Sequence, residues 1–286
     1  MLRQQMAIRI VTDTTCSVPS DEVERYGITV VPQHVLFGTT DYLDQVDLDS
    51  DSFYDLLETS SDHPTTSQAT PTEVADAMRP HVEAGDDVLG ITISSKLSGT
   101  YSSFTQAAGQ FPDAHIHVFD SLNATTASGL LVLAAARMVE GGSDVHAILD
   151  ELEKLRDRTR LAVAVPTLEY LRRGGRIGNA RALIGTMLGF KPILELREGE
   201  LQPVGRARSM RRAISMLVDF AAENAPDGVI DIGFVSSGDP RQLESLRTAI
   251  LDRVQVSGNT HDAEPLAPAI GAHVGREALA VAFISA

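Results

Sequence analysis

The stretch "DVLGITISSKLSGTYSSFTQAAGQF", residues 87–111, joins a short apolar strand to a helix through a turn rich in hydroxyl groups. Residues 88–93 have the apolar, β-branched character of a buried strand, and residues 98–111 have helical spacing. Ser, Thr and Gly are good helix N-caps, so a simple cap is one interpretation of the turn. One cap needs one hydroxyl, however. Several hydroxyls beside helix-terminal N–H groups also favour an anion pocket.

Strands and helices alternate on both sides of this unit. Extended runs occupy residues 8–14, 28–37 (interrupted by Pro32) and 115–121, and predicted helices separate them. The helix beginning at Thr70-Pro71 has Glu73 three residues after Thr70, as in a capping box. Near-continuous apolar strands separated by helices predict a parallel sheet covered on both faces.

The pattern changes after Pro166. A basic helix is followed by a predicted hairpin around Glu198-Gly199, and then by helices and strands that end in the apolar run 278–285. The sequence therefore predicts an α/β protein of two domains: an N-terminal parallel α/β/α sheet domain, residues 1–163, and a C-terminal α+β two-layer domain, residues 164–286. We assign the strand at 161–165 to the end of the first half.

Composition excludes several classes of protein. The chain has 286 residues, of which 43% are hydrophobic and 22% charged, as in ordinary globular proteins. No apolar run approaches the roughly 20 residues that span a bilayer, and the N-terminus does not resemble a secretion signal. Cys16 is the only cysteine, so no disulfide can form within the chain. We expect a cytoplasmic protein.

Charge is distributed unevenly. The 24 basic and 39 acidic residues give a net charge of −15, which argues against nucleic acid as a partner. Residues 167–212 nevertheless contain ten basic and four acidic residues. This basic segment is either a solvated helix face or a region that attracts an anionic group or an acidic partner.

Familiar catalytic signatures are missing. The sequence contains no G-x-S-x-G, no P-loop, no G-x-G-x-x-G and no H-E-x-x-H, and nothing in it indicates a cofactor. Two alternatives stay open. One is a phosphotransferase or hydrolase that acts on a small anion. The other is a calcium-binding module at residues 47–58, where acids occupy EF-hand positions 1, 3, 5 and 12 but position 6 is Ser52 rather than Gly.

A series of motifs resembles the DegV family of fatty-acid-binding proteins, which includes FakB, the carrier subunit of bacterial fatty acid kinase. The motifs, in chain order, are "VTDTTCSVP" (11–19), "TSQATP" (66–71), "ISSKLSGTY" (93–101), "LEYLRRGGRIG" (168–178), "LGFKPILELREGELQPVGRARS" (188–209) and "IGAHVG" (270–275). Their order and spacing cover nearly the whole chain and agree with the predicted two-domain division.

The resemblance implies a fatty acid buried between the domains, with its carboxylate on Thr66 and Ser95. It also implies ligand contacts for Arg176 and His273, and a position near the outer mouth of the site for Arg208. By pattern alone, Thr66 fits an ordinary turn, Ser95 a helix cap, Arg176 a surface arginine and His273 a core histidine. One departure stands beside the histidine: family members continue with Thr-Gly-Pro-Gly, whereas this chain has Val-Gly-Arg276-Glu277.

The same resemblance implies a carrier, not an enzyme by itself. Such a carrier would present the fatty acid carboxylate to a separate ATP-dependent fatty acid kinase in phospholipid metabolism. The resemblance also leaves open a transient contact of the carrier with a membrane surface. The apolar segment 182–190 is a candidate wall for the acyl channel, through Leu183, Ile184, Met187 and Leu188. Most apolar stripes of this kind are core packing.

Overall fold

The structure is a computed structural model that describes residues 7–183, 189–262 and 265–286. The strands are β1 (Ile8–Asp13), β2 (Thr29–Val31), β3 (His34–Phe37), β4 (Thr40–Leu43), β5 (Thr65–Ser67), β6 (Asp87–Thr92), β7 (Ile116–Asp120), β8 (Thr159–Ala164), β9 (Lys191–Arg197), β10 (Glu200–Ala207), β11 (Val229–Ser236), β12 (Thr260–Asp262) and β13 (Leu279–Ser285). The α-helices are α1 (Ser20–Tyr26), α2 (Ser50–Thr59), α3 (Pro71–Glu83), α4 (Thr100–Ala108), α5 (Thr125–Glu140), α6 (Val145–Arg158), α7 (Glu169–Arg173), α8 (Met210–Asn224), α9 (Pro240–Leu251) and α10 (Pro268–Val274).

A four-stranded parallel sheet forms the centre of the first half, in the order β2-β1-β6-β7. Its strands are short and apolar, as the sequence predicts. The capping box at the start of α3 is confirmed, because the Thr70 hydroxyl accepts from the Glu73 N–H while the Glu73 carboxylate accepts from the Thr70 N–H. The prediction of an α/β protein with a parallel-sheet domain and a mixed-sheet domain is therefore confirmed.

The extended segment at 28–37 is divided between two sheets. Its first part is β2 of the parallel sheet, and its second part is β3 in the centre of a small antiparallel sheet with the order β4-β3-β5. Pro32 lies at the break, since proline has no N–H to donate to a ladder. The small sheet, which we did not predict, carries Thr66 on β5.

A six-stranded mixed sheet has the order β10-β9-β8-β13-β11-β12. The strand predicted at 161–165 does form, as β8, but it pairs with β9 and β13 of this sheet. Its assignment to the first half is therefore wrong, because the alternating pattern of a strand does not reveal which sheet the strand joins. The boundary between the sheets falls between α6 and β8. The division into domains at 163/164 stays a prediction.

Both faces of β8 are buried, which explains why its sequence is apolar throughout. Leu161 and Val163 point towards the core shared with α5, whereas Ala162 and Ala164 pack in a second core with α8. Helix α5 contacts strands of both large sheets, including β1, β11 and β13, so residues 125–136 are all buried. An ion pair between Arg137 and the buried Asp231 joins α5 to β11.

Helix α10 is held at its start by a buried carboxyl group. Asp44 has no exposed surface, its Oδ1 accepts the Ala269 N–H at 3.3 Å, and its Oδ2 has no partner among the described residues. Burial raises the pKa of Asp44 to about 6, against the opposing effect of hydrogen bonds from Thr14 and Ala269. Asp44 therefore connects the turn after β4 to the helix that carries His273. No helix of the described residues is long and apolar enough to cross a membrane.

Candidate functional site

A cavity lies where the carboxyl ends of β1 and β6 meet the six-stranded sheet. The chain leaves β1 for β2 on one side, while β6 lies on the other side of β1, so the strand order changes direction between β1 and β6. Such a switch point leaves a crevice that open α/β sheets commonly use for ligands. The cavity has an empty volume of about 930 Å³, including its part open to solvent.

Most of the cavity wall is apolar. Side chains from five neighbouring strands of the six-stranded sheet line it together with residues after β6 and from α10; they include Ile93, Leu161, Val163, Leu196, Leu201, Val235, Ala280, Ile270 and Val274. Strand periodicity explains the contribution of β8, because alternate side chains face one side of a sheet. An apolar lining of this kind suits a hydrocarbon group, and a small hydrophilic anion would leave most of it unused.

One part of the cavity is polar. Thr66, Ser98, Arg176 and His273 line it there, together with Ser67 and Gln68. They come from four places in the chain: β5, the turn before α4, the loop after α7, and α10. Hydroxyl and guanidinium donors that converge in a cavity are suited to a carboxylate, since hydrogen bonds to a charged group contribute roughly 1.5–3 kcal/mol each. The sequence prediction that combined Thr66, Arg176 and His273 agrees with this placement.

His273 contacts Thr66 directly, with 2.8 Å between Nε2 and the Thr66 hydroxyl oxygen. Burial, together with the charge of Arg176, lowers the pKa of His273 to about 4, so the ring is neutral at neutral pH. When the Nε2–H group of His273 donates a hydrogen bond to the Thr66 oxygen, the Thr66 O–H can point at a ligand. His273 then acts by orienting Thr66.

The two glycines at 174–175 have separate roles. A Cβ on Gly174 would overlap Nδ1 of His273, so only glycine lets the imidazole lie against this loop. Gly175 has φ +74°, a left-handed conformation that glycine adopts without steric cost. Next to them, Arg176 donates from Nε to the Leu97 carbonyl at 2.9 Å and from Nη1 to the Gly174 carbonyl at 2.6 Å. Arg176 therefore joins the α7 loop to the hydroxyl-rich turn.

The hydroxyls of that turn point in different directions. Ser95 is exposed, does not line the cavity, and has its N–H bonded to Asp120 at 3.1 Å. Ser94 is buried and donates to the Gly199 carbonyl at 3.0 Å in the β9–β10 hairpin. Ser98 is the serine of this turn that lines the cavity. The structure therefore does not bring Ser95 to the cavity wall, because a sequence motif locates the turn but not the direction of each side chain, and the contact of Ser95 with the carboxylate stays a prediction.

Ser98 belongs to a chain of hydrogen bonds that ends at Gln33. The Ser98 and Thr100 hydroxyl oxygens are 2.8 Å apart, and the Thr100 hydroxyl donates to Oε1 of Gln33 at 3.3 Å. Because Thr100 has only one hydroxyl proton, Ser98 is the donor to Thr100 in this arrangement. A bound anion can accept the hydrogen bond from Ser98 instead, while Thr100 keeps its bond to Gln33. Sequence reasoning missed Gln33 and named Ser98 only as part of the turn.

The remaining predicted site residues do not line the cavity or lie outside the described residues. Arg208 is exposed and does not line the cavity; its guanidinium lies 5.1 Å from the centre of the Phe190 ring. Arg206 lies 5.0 Å from the same ring. Leu183 is partly buried against the main core and is not part of the cavity wall. Ile184, Met187 and Leu188, the other predicted channel residues, lie outside the described residues.

The segment predicted as an alternative calcium loop has a structural role at each end. Asp49 is the N-cap of α2 and accepts the Ser52 N–H at 2.7 Å, and Glu58 forms an ion pair with Arg276. Across residues 7–183, 189–262 and 265–286, no group of three acidic, histidine or cysteine residues is placed to hold a metal ion. Glu277, next to Arg276, lies 3.6 Å from Lys191, so ion pairs hold the turn beside His273.

The fold and the site define a class of protein: an α/β protein of three sheets with a largely apolar cavity, one part of which is lined by hydroxyl, guanidinium and imidazole groups. The chain belongs to the DegV family, whose model, described as "Uncharacterised protein, DegV family", matches residues 7–286. The resemblance predicted from the motifs is thus confirmed.

Individual relatives cover nearly the whole chain. A DegV domain-containing protein of Caldanaerobacter subterraneus is 32% identical over 277 residues, 96% of this chain and 98% of that protein. A DegV family protein of Thermus thermophilus, described by its fatty acid binding, is 35% identical with a TM-score of 0.91, covering 98% of this chain and 100% of that one. A stearic-acid-binding protein of Eubacterium ventriosum is 26% identical with a TM-score of 0.86, covering 97% and 98%.

Proposed function

We propose that this chain binds one long-chain fatty acid, with the acyl tail in the apolar part of the cavity and the carboxylate at Thr66, Ser98 and Arg176. The observation that carries the proposal is the cavity itself, which is apolar over most of its wall and has these donors at one end. The fatty acid binding of the Thermus and Eubacterium relatives supports it. Binding rather than catalysis is then the role of this chain.

The energetics of such a complex are favourable. At ~0.8 kcal/mol per buried methylene, a sixteen-carbon chain contributes on the order of 11 kcal/mol before the costs of ordering the ligand. The carboxylate needs hydrogen bonds to compensate for its lost hydration. Tail burial would therefore supply most of the affinity, and the polar side chains would determine which end of the ligand enters first.

We also propose that the bound carboxylate is presented to a separate ATP-dependent fatty acid kinase in the cytoplasm. The resemblance to FakB supports this step, and so does the exposed pair Arg206 and Arg208 on an otherwise acidic protein. An acyl phosphate carries more negative charge than the acid, which favours cationic groups on the surface where the partner docks.

Native mass spectrometry tests the binding proposal. We expect the protein, purified from cells, to carry a C14–C18 acid that organic extraction removes and added hexadecanoic acid restores. An extracted protein that takes up no fatty acid, while its circular dichroism is unchanged, would contradict the proposal. Hydrolysis of a small phosphate ester or acyl ester by the extracted protein would favour the enzyme alternative.

A further inference from the structure

We infer that Gln33 is a further ligand-binding residue, whose side-chain Nε2–H donates a hydrogen bond to a carboxyl oxygen of the fatty acid. The inference rests on the proposed function and adds a specificity-determining contact to it. It starts from the position of Gln33, which lines the cavity and has only 3% of its surface exposed.

The orientation of the Gln33 amide follows from its neighbours. The backbone N–H of Ala69 can only donate, and it lies 3.3 Å from the Gln33 side chain, so the atom that it meets must be the oxygen. The Thr100 hydroxyl bonds the same oxygen at 3.3 Å. Two donors therefore hold Oε1, and the amide nitrogen must point the other way.

The amide nitrogen of Gln33 is buried and has no hydrogen-bond partner among the described residues. A buried donor without a partner costs roughly 1–3 kcal/mol, so most such groups in folded proteins are bonded. Because Gln33 lines the cavity, a ligand oxygen can supply the missing acceptor. An entirely hydrocarbon ligand, or a tail methylene placed there, would leave the cost in place.

The surroundings assign this donor to the head group rather than to the tail. Gln33 directly precedes β3, whose first residue is paired with Ser67 of β5, so the amide lies beside the Gln68–Ala69 end of that strand. Through Thr100 it is also connected to Ser98. Both neighbours belong to the polar part of the cavity, where Thr66 and Arg176 lie.

The chemistry also predicts selectivity between head groups. A carboxylate has only acceptors, so either of its oxygens can accept from the amide N–H. A primary alcohol can donate as well as accept, so it tolerates either a donor or an acceptor at this position. Replacing the amide by a carboxylate should therefore discriminate between an acid and an alcohol that have the same tail.

The experiment compares Gln33→Glu with the wild type at pH 8, using hexadecanoic acid and 1-hexadecanol as titrants. The substitution keeps an oxygen for Ala69 and Thr100 but puts an acceptor where the donor was. We expect affinity for the acid to fall at least tenfold, and affinity for the alcohol to change less than threefold. Gln106→Glu, the same change on the exposed face of α4, should affect neither.

Gln33→Met, which keeps the length of the side chain without the donor, provides a second variant if the first fails to fold. It should weaken acid binding more than alcohol binding. An equal loss for both ligands, or an unchanged affinity for the acid, would overturn the inference, because Gln33 would then be only structural. Failure of the proposed function is distinct: the wild type itself would bind neither ligand.

Discussion

Ser98→Ala is the most direct test of the carboxylate site, because the prediction from the sequence named Ser95 whereas the structure places Ser98 at the cavity. Ser98 lines the cavity, whereas Ser95, three residues earlier, is exposed. The two substitutions remove the same atom from the same turn. Ser95→Ala is therefore a matched control, and the comparison cancels general effects of removing a hydroxyl.

The expected magnitude follows from the hydrogen bonds of Ser98. A bond from the Ser98 hydroxyl to a carboxylate contributes roughly 1.5–3 kcal/mol, but binding gives up the bond from Ser98 to Thr100, which is worth about 1 kcal/mol. The net loss in Ser98→Ala is then ~0.5–2 kcal/mol, which raises Kd about two- to thirtyfold. Combining it with Thr66→Ala should weaken binding further.

Isothermal titration calorimetry of the extracted protein with hexadecanoic acid measures this difference, and thermal unfolding of each unliganded variant reports on folding. We expect Ser95→Ala to bind like the wild type. If Ser95→Ala loses affinity and Ser98→Ala does not, the direction of the turn in the structure does not describe the liganded protein. If neither variant loses affinity, the carboxylate does not lie at this turn.

Three further predictions concern the groups around the site. Asp44→Asn should raise the free energy of unfolding by up to ~3 kcal/mol above pH 6. The reason is that the folded protein holds the Asp44 proton up to about pH 6, whereas the unfolded chain releases this proton near the ordinary pKa of aspartate. Denaturant titrations should show the gain in stability disappearing as the pH falls towards 4. Gly174→Ala should displace His273 from Thr66 and weaken fatty acid binding roughly five- to tenfold in fluorescence titrations, through loss of one oriented hydroxyl. Arg208→Ala should change fatty acid affinity less than about threefold, or ~0.7 kcal/mol, but lower kinase-dependent phosphorylation of the bound acid about tenfold, or ~1.4 kcal/mol.

Matched variants control these measurements. Gly109 ends α4 with φ −63° and ψ −14°, close to the −73° and −8° of Gly174, so Gly109→Ala should leave binding unchanged. Arg79→Ala removes another exposed arginine, on α3, and should not affect phosphorylation. An Asp44→Asn gain that is constant from pH 4 to pH 8 would contradict the titration argument. Equal losses of binding and phosphorylation in Arg208→Ala would show that this arginine holds the ligand itself.

The sequence by itself determined the local structure and the family. Helix α3 begins where Thr70, Pro71 and Glu73 predict, because a capping box satisfies N–H groups within four residues. The apolar strands predicted a parallel sheet for the first half, since a sheet buried on both faces needs apolar residues at successive positions. Ordered motifs along nearly the whole chain identified the DegV family, and with it Thr66, Arg176 and His273.

Only the tertiary structure decided which side chains face the cavity and which sheet each strand joins. Ser95 and Ser98 are equivalent by residue type, but the turn directs one to solvent and the other to the cavity. The strand β8 pairs with β9 and β13, which lie some 30 and 115 residues further along the chain. The side-chain amide of Gln33 is oriented by Ala69 and Thr100, which both bond its oxygen. Pairing and side-chain direction depend on contacts between distant segments, and a local pattern of residues does not contain that information.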